Sequence, residues 1–576
     1  MIRKKVLCRP RDPRAGRVAG RGRMRVSRSF VFCFLAWVFL AGTAPASDWS
    51  ETQRLAGLCR VWGMLKYYHN NVSGGRLDWN KEILEMIPGV KAARDPNAYQ
   101  HQLLQLIRKA GFSKTSRFTT PQADLVNVDW GWLDESSYLS PLTAAVLKGV
   151  RDGRDGTLNA YYSAAFQGGN LLFLKDKGLE TLTWEREDVR LLALFCYWNI
   201  IEYFFPYKHL MDDPWDETLT AFIPRFQAAS SELDFHLLVK ELGARINDSH
   251  GLVTSTVLTD FWYGTHGPGF EVSFVEGRTV VTQVYPRLLA GADIRPGDVV
   301  THIDGRSTAV IREEMRPYIQ ASNEPTLQRN INSFLFAGRS PAMTLTVERD
   351  GPPLSLPVPR VTHSEYYSES EAARNAIVAF DLLAGDIGYI HMGALKPDQV
   401  PLAMASLRNA KAVIFDVRNY PQGTIWAINE YLNENAKPWA KFHYPLLNAP
   451  GYFGAKSVQT GPSTPNPDYY KGRIVILADE RTQSQAEYTC MALQATERST
   501  LIGSQTAGAD GNVSYIYLPG RLQAVFTGLG TYYPDGRQTQ RIGIVPDIEI
   551  RPTIAGIRAG RDEVLERALE FIVNGY

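Results

Sequence analysis

The residues best placed to do chemistry in this 576-residue chain lie between Arg473 and Gly511. Ile474-Val475-Ile476-Leu477 is a continuous apolar run, as expected of a strand buried on both faces. Asp479 to Gln483 reads as a polar turn, and Ser484 through Leu493 into Ala495 as a helix. Strand, sharp turn and helix expose one side chain at a helix N-terminus, where free N–H groups and the helix dipole favour negative charge on a neighbouring oxygen. Ser484 stands there, and a serine so placed is suited to nucleophilic acyl transfer. The competing reading is a capping box, Ser484-x-x-Glu487, whose hydroxyl only closes the first helical turn.

A hydroxyl nucleophile needs a base, and Asp248-Ser249-His250-Gly251 offers one at the end of an internal repeat. Trp62 and Trp198 are 136 residues apart, and so are Tyr67 and Tyr203, Trp79 and Trp215, Pro88 and Pro224, and Tyr99 and Phe235. This is a duplicated, mostly helical unit with an aromatic core. The first copy ends Lys109-Ala110-Gly111-Phe112-Ser113-Lys114 and has no histidine there, so His250 is surplus to what the repeat needs to fold. The alternative is a histidine that merely complements a helix C-terminus.

The elements that must position these residues occupy three or four domains. The first 46 residues carry eleven Lys or Arg against the single acid Asp12, then the apolar run Phe30 to Gly42 and Ala44-Pro45-Ala46. They read as a secretory signal cleaved before Ser47, from a start at Met1 or Met24, which predicts an exported protein, periplasmic or secreted. The run is shorter than the ~20 residues of a membrane span, so membrane contact is expected to be peripheral or none. Without the leader, 51 basic residues face 59 acidic ones, a net charge of −8 that offers no footprint for nucleic acid. Cys59, Cys196 and Cys490 read as buried thiols, and the chain shows no metal cluster or cofactor motif.

Residues 47–115 and 186–262 are expected to be the two helical repeats, joined by 116–185, to which no role is assigned. Residues 263–362 turn to short strands and resemble a PDZ domain, carried by Gly269-Phe270-Glu271-Val272, the turn Arg295-Pro296-Gly297-Asp298 and the hairpin at Asp304-Gly305. Such domains take an extended peptide as an added strand. From 376 to 556 strand and helix alternate, implying a parallel sheet with its site at the strand C-terminal ends, and 557–576 reads as a terminal helix.

Several motifs in order resemble the tail-specific, C-terminal-processing serine peptidases of family 41, in their tricorn-like branch. They are the Asp-Ser-His segment, the PDZ-like insert, Asp416-x-Arg418-Asn419-x-Pro421-x-Gly423, Ser484-x-x-Glu487, Ile502-Gly503-x-x-Thr506-x-Gly508 and Gly543-Ile544-Val545-Pro546-Asp547. The resemblance covers roughly residues 180 to 570. It implies an α/β multidomain fold with a crotonase-like core, Ser484 as nucleophile, and an oxyanion hole from the N–H of Gln485 and of Gly423 or Gln422. Where the Ser/Lys branch has a lysine base, this chain reads Thr506-Ala507-Gly508-Ala509-Asp510-Gly511, and the tricorn-like Ser-His pair matches Ser249-His250. That branch has a glutamate where Gln540 stands; glutamine can orient an imidazole but cannot stabilise imidazolium by charge, which predicts weak or narrow activity. The implied function is an exported serine endopeptidase acting on proteins or peptides, its PDZ-like module governing substrate choice more than chemistry. The alternatives are a catalytically silent peptide binder and a carrier of small apolar ligands. Oligomeric state is not legible.

Overall fold

The computed structural model describes residues 50–112, 119, 121–156, 159–165, 168–174 and 178–575, all within one unit, 49–576. The secretory leader read from the sequence lies outside the described residues.

The duplication is visible as two sets of three helices. Glu51–Tyr68, Trp79–Ala92 and Pro96–Ala110 recur as Glu187–Phe204, Trp215–Ala228 and Glu232–Ala244, each start 136 residues on. In each copy the indoles exchange bonds across the helix pair: Trp62 Nε1 donates to Trp79 O and Trp79 Nε1 to Trp62 O, both at 3.0 Å. Trp198 and Trp215 repeat the exchange at 2.9 and 3.1 Å. A buried indole must place its N–H, and the reciprocal pair does so without water. The copies pack on each other at Gly63, where an added Cβ would sit 1.7 Å from Asn199 Oδ1.

The 116–185 connection staples this helical layer to the remainder of the chain. Its strand Leu125–Val126 pairs with Tyr452–Thr460, and the buried Arg154 donates from Nε to Asn448 O at 2.8 Å.

The strand-rich module is an antiparallel sheet running, in spatial order, His266–Pro268, Leu354–Thr362, Ala342–Glu348, Val299–Ile303, Arg278–Val284 and Phe270–Val275. Phe270–Val275 is therefore a sheet edge, and the helix Glu324–Leu335 packs beside it.

The last layer is a six-stranded sheet of β1 (Phe380–Leu383), β2 (Ile387–His391), β3 (Ala412–Asp416), β4 (Arg473–Ala478), β5 (Ser499–Gly503) and β6 (Ile548–Glu549), in that spatial order. β2 to β6 are parallel and β1 is an antiparallel edge. Alternation along the strands divides their side chains between two cores. Val413, Phe415, Ile474 and Ile476 meet Cys490 and Met491 of the helix Gln485–Gln494, while Ile414, Val475, Leu477 and Ile502 meet Val564 and Ala568. The terminal helix Glu563–Asn574 thus completes the second face of this sheet. Cys59, Cys196 and Cys490 are buried thiols, none of them in a disulfide.

Two features of this topology make the site. β3, β4 and β5 are neighbours, so the turns after them, 417–424, 479–484 and 504–512, emerge together at the strand C-terminal ends. A separate three-stranded sheet pairs Leu252–Thr254 with Leu522–Thr527 in the register Leu252↔Val525. Extending that register by two residues sets His250 opposite Thr527.

Candidate active site

Ser484 follows β4 and opens the helix Gln485–Gln494 at φ 59°, ψ −122°. The other serine N-caps, Ser50, Ser140, Ser231, Ser255 and Ser307, all have negative φ in the extended region, and all but Ser307 accept a hydrogen bond from the first helical turn. The Ser484 side chain makes no cap hydrogen bond. Its backbone is pinned instead, the N–H reaching Ala509 O at 3.0 Å and the Glu487 carboxylate at 3.2 Å. A non-glycine residue at positive φ costs of order 1–3 kcal/mol and persists only where its surroundings enforce it. The positive φ sets Ser484 apart from those caps, while Glu487 reaching back to its N–H keeps that half of the capping box expected from the sequence.

Glu487 provides much of the enforcement. Buried completely, it accepts from Ser484 N–H, Thr506 Oγ1 (2.5 Å), Gly508 N–H (2.8 Å) and Ala509 N–H (3.0 Å), binding the nucleophile turn to the turn after β5. Burial raises the Glu487 carboxyl above its ordinary value, and these four donors oppose the rise. Burial first, and then the nearby Glu487, push Asp510 well above the usual carboxylate range.

On the histidine side, Asp248 is fully buried and collects four donors. They are Thr527 N–H (2.6 Å), Thr527 Oγ1 (2.8 Å), His250 N–H (3.1 Å) and Gln540 Nε2 (3.1 Å). His250 Nδ1 lies 3.0 Å from Thr527 Oγ1. The threonine has one hydroxyl proton and gives it to the carboxylate, so Nδ1 must carry a proton and donate to the hydroxyl. Nε2 is left as the lone pair able to act as base. The Asp248 carboxylate therefore reaches the imidazole through Thr527, and the sequence reading assigned neither residue a catalytic role. Asp248 was legible as a neighbour in Asp-Ser-His; Thr527 is 277 residues from His250 and has no motif signal.

Gln540 touches Asp248 and not the imidazole, and its Oε1 is buried without a partner. Ser249 faces away from the chemistry: its Oγ donates to Ala507 O at 2.8 Å and accepts from Ser322 N–H at 2.7 Å. It braces the histidine loop between the turn after β5 and the strand-rich module.

Burial lowers the pKa of His250, the nearby Arg329 cation adds to this, and Asp248 opposes both. Arg329 also holds the two loops together. It donates from Nη1 to Glu480 O and from Nη2 to Gln483 Oε1, each at 2.6 Å, and Gln483 Nε2 donates to Ser249 O at 3.1 Å. Among the described residues no hydrogen bond joins Ser484 Oγ to the imidazole; catalytic pairs often tighten only in the substrate complex.

Arg329 and Asn323, whose Nδ2 donates to Thr506 O at 2.9 Å, belong to the strand-rich module. Residues 322–329 of this module thus touch the histidine loop, the turn after β5 and the nucleophile turn.

That turn is anchored at Asp416, which is buried and paired with Arg418 at 2.6 Å. Gly423 has φ 75°. The Gln485 N–H, first in its helix, has no acceptor among the described residues, so both backbone donors expected of an oxyanion hole belong to turns on adjacent strands. No group of three or more His, Cys, Asp or Glu is arranged to hold a metal among the described residues.

Residues 386–550, which span β2 to β6, match the model of peptidase family S41. Tricorn protease homolog 2 of Streptomyces coelicolor is 23% identical over 379 residues, 62% of this chain but 30% of that protein. The chain thus spans under a third of that relative's length. Among solved structures, mature CPAF in complex with lactacystin aligns over 68% of this chain and 99% of its own, with a TM-score of 0.53 at 13% identity. Another structure of mature CPAF gives 0.50 at 13%, covering 68% and 98%. At these identities the likeness to the solved structures is one of fold, and the segment that matches the peptidase family S41 model contains Ser484 and the Gly423 turn.

Proposed function

We propose that this chain is an exported serine endopeptidase that cleaves proteins or peptides through an acyl-enzyme. The observation that carries the reading is Ser484, a serine held at positive φ at a helix N-terminus in the turn after β4. In the mechanism, His250 Nε2 takes the Ser484 proton as the oxygen attacks the peptide carbonyl. The N–H groups of Gln485 and Gly423 hold the oxyanion, each such donor being worth ~3 kcal/mol of barrier. The imidazolium returns its proton to the leaving amine, and water, deprotonated by His250, releases the acyl group. Asp248 stabilises the imidazolium through Thr527.

The crotonase-like description of the core and the PDZ-like description of the strand-rich module belong to this reading. A cavity of about 390 Å³ runs between the edge strand Phe270–Val275 and the helix Glu324–Leu335, and its lining includes Arg329, Glu480 and Arg481. An extended peptide added to that edge would be led toward the nucleophile turn. Export rests on the charged leader and its apolar run; mature protein whose N-terminus lies before Phe30 would refute it.

Gln540, set where the tricorn-like branch has a glutamate, favours a second reading as a silent peptide binder. Labelling with a fluorophosphonate probe separates the two. The peptidase reading expects covalent labelling that disappears in Ser484→Ala, and the binder reading expects none.

A further inference from the structure

The side chain of Gln485 turns back over the Gly423 turn. In the amide orientation that satisfies both groups, its oxygen accepts from the Gly423 N–H at 3.2 Å and its NH2 donates to Pro421 O at 3.3 Å. Gln485 is thus joined to the Gly423 turn at two points, Gly423 and Pro421. Through its backbone, Gln485 opens the nucleophile helix; through its side chain, it occupies a donor of the neighbouring turn.

The Gly423 turn has other anchors. Gln422 Nε2 donates to Gly393 O at 3.0 Å, and Asn419 Oδ1 accepts from Gly393 N–H. Arg418 binds both Asp416 and Asp562. Thr424 and Ile425, which follow the glycine, are fully buried. A turn tied down on both sides of Gly423 does not need a glutamine amide to keep its shape. What the amide does change is the availability of the Gly423 N–H.

We infer that the Gln485 side-chain amide is the resting occupant of the oxyanion pocket, an internal stand-in for the substrate carbonyl that must swing out before acylation. This rests on the reading of Gly423 N–H as an oxyanion donor. An amide oxygen is the same kind of acceptor as a peptide carbonyl, so it keeps the donor aligned while the site is empty. Bonds to a charged acceptor are roughly twice as strong as neutral ones, so the developing oxyanion outcompetes the neutral amide. A poorly seated substrate, whose carbonyl gains no charge, does not. Gln485 thereby lowers reactivity toward poorly aligned acyl groups at some cost in rate toward good ones.

The test is the rate of fluorophosphonate labelling of Ser484 in wild-type protein and in Gln485→Ala, Gln485→Met and Gln485→Glu, because the phosphonyl oxygen must enter the same pocket. Losing a neutral acceptor should speed labelling by about 3- to 10-fold, the range of one net hydrogen bond. Methionine keeps the bulk without the acceptor, so Gln485→Met should follow Gln485→Ala. Gln485→Glu should label more slowly than wild type, since a carboxylate holds Gly423 harder and repels the oxyanion. Opposite signs for Ala and Glu would not arise from a residue that only supports the helix. The inference is overturned, with the peptidase reading intact, if wild type labels and Gln485→Ala and Gln485→Met are no faster. If none of the four proteins labels, the peptidase reading falls first.

Discussion

His250 sets the pH behaviour of the site. Burial and Arg329 hold its pKa below the ~6.5 of a free histidine, so the imidazole stays neutral and able to accept a proton to lower pH. Turnover should rise with pH through a transition below ~6.5, and His250→Ala should cost about as much as Ser484→Ala, on the order of 10³-fold or more. Retention of most of the rate, with a profile rising near ~8 or above as for an amine or thiol base, would move the base elsewhere. Asp248→Asn keeps the shape but removes the charge that favours imidazolium, with a ~10²–10⁴-fold loss expected in kcat. Gln540→Glu sets a second carboxylate against Asp248, and one of the two must then hold a proton. Its folded pKa lies above its unfolded value, so the folded state binds more protons and stability falls as pH rises. Melting curves should show the deficit against wild type growing from pH 5 to pH 8; a constant gap would mean the new acid escapes Asp248.

At the scale of elements, the site is made by turns that different parts of the chain hold in place. Arg329, on the helix Glu324–Leu335, binds the nucleophile turn at two points and reaches the histidine loop through Gln483. An ammonium cannot reproduce the guanidinium fork, so Arg329→Lys should lower kcat by ~10-fold or more through a displaced Ser484. Circular dichroism and the melting midpoint should report a folded protein. Undiminished kcat in Arg329→Lys would show that Glu487 and Ala509 hold the nucleophile unaided.

Over the whole molecule, the proposed mechanism draws its base from the helical layer, its nucleophile from the parallel sheet, and the residues between them from the strand-rich module. Removing residues 264–362 should therefore abolish hydrolysis of short peptide esters together with cleavage of proteins. Loss of protein cleavage alone, in a variant that still melts cooperatively, would return the module to a purely recruiting role. The paired indoles make the helical layer rigid enough for this task. Trp198→Phe leaves the buried Trp215 carbonyl without its donor, a loss of about 1–3 kcal/mol readable by denaturant titration.

What the chain shows by itself is whatever depends on local pattern. The 136-residue offset between Trp62 and Trp198, the apolar run Ile474 to Leu477 and the strand–turn–helix around Ser484 all express periodicity or punctuation, and each appears as the expected element. Whether Ser484 caps or attacks is not local, because its positive φ is imposed by Glu487 and by the Ala509 carbonyl of another turn. Thr527 carries no signal at all; only the pairing of Leu252–Thr254 with Leu522–Thr527 brings it to His250. Gln540 and Ser249 were legible as site neighbours, but their partners, Asp248 and Ala507, follow from packing between layers. Hydrophobic periodicity records which face of an element is buried. The identity of what lies across from it, which decides every protonation state and hydrogen bond in this site, is settled by tertiary contacts between residues hundreds of positions apart.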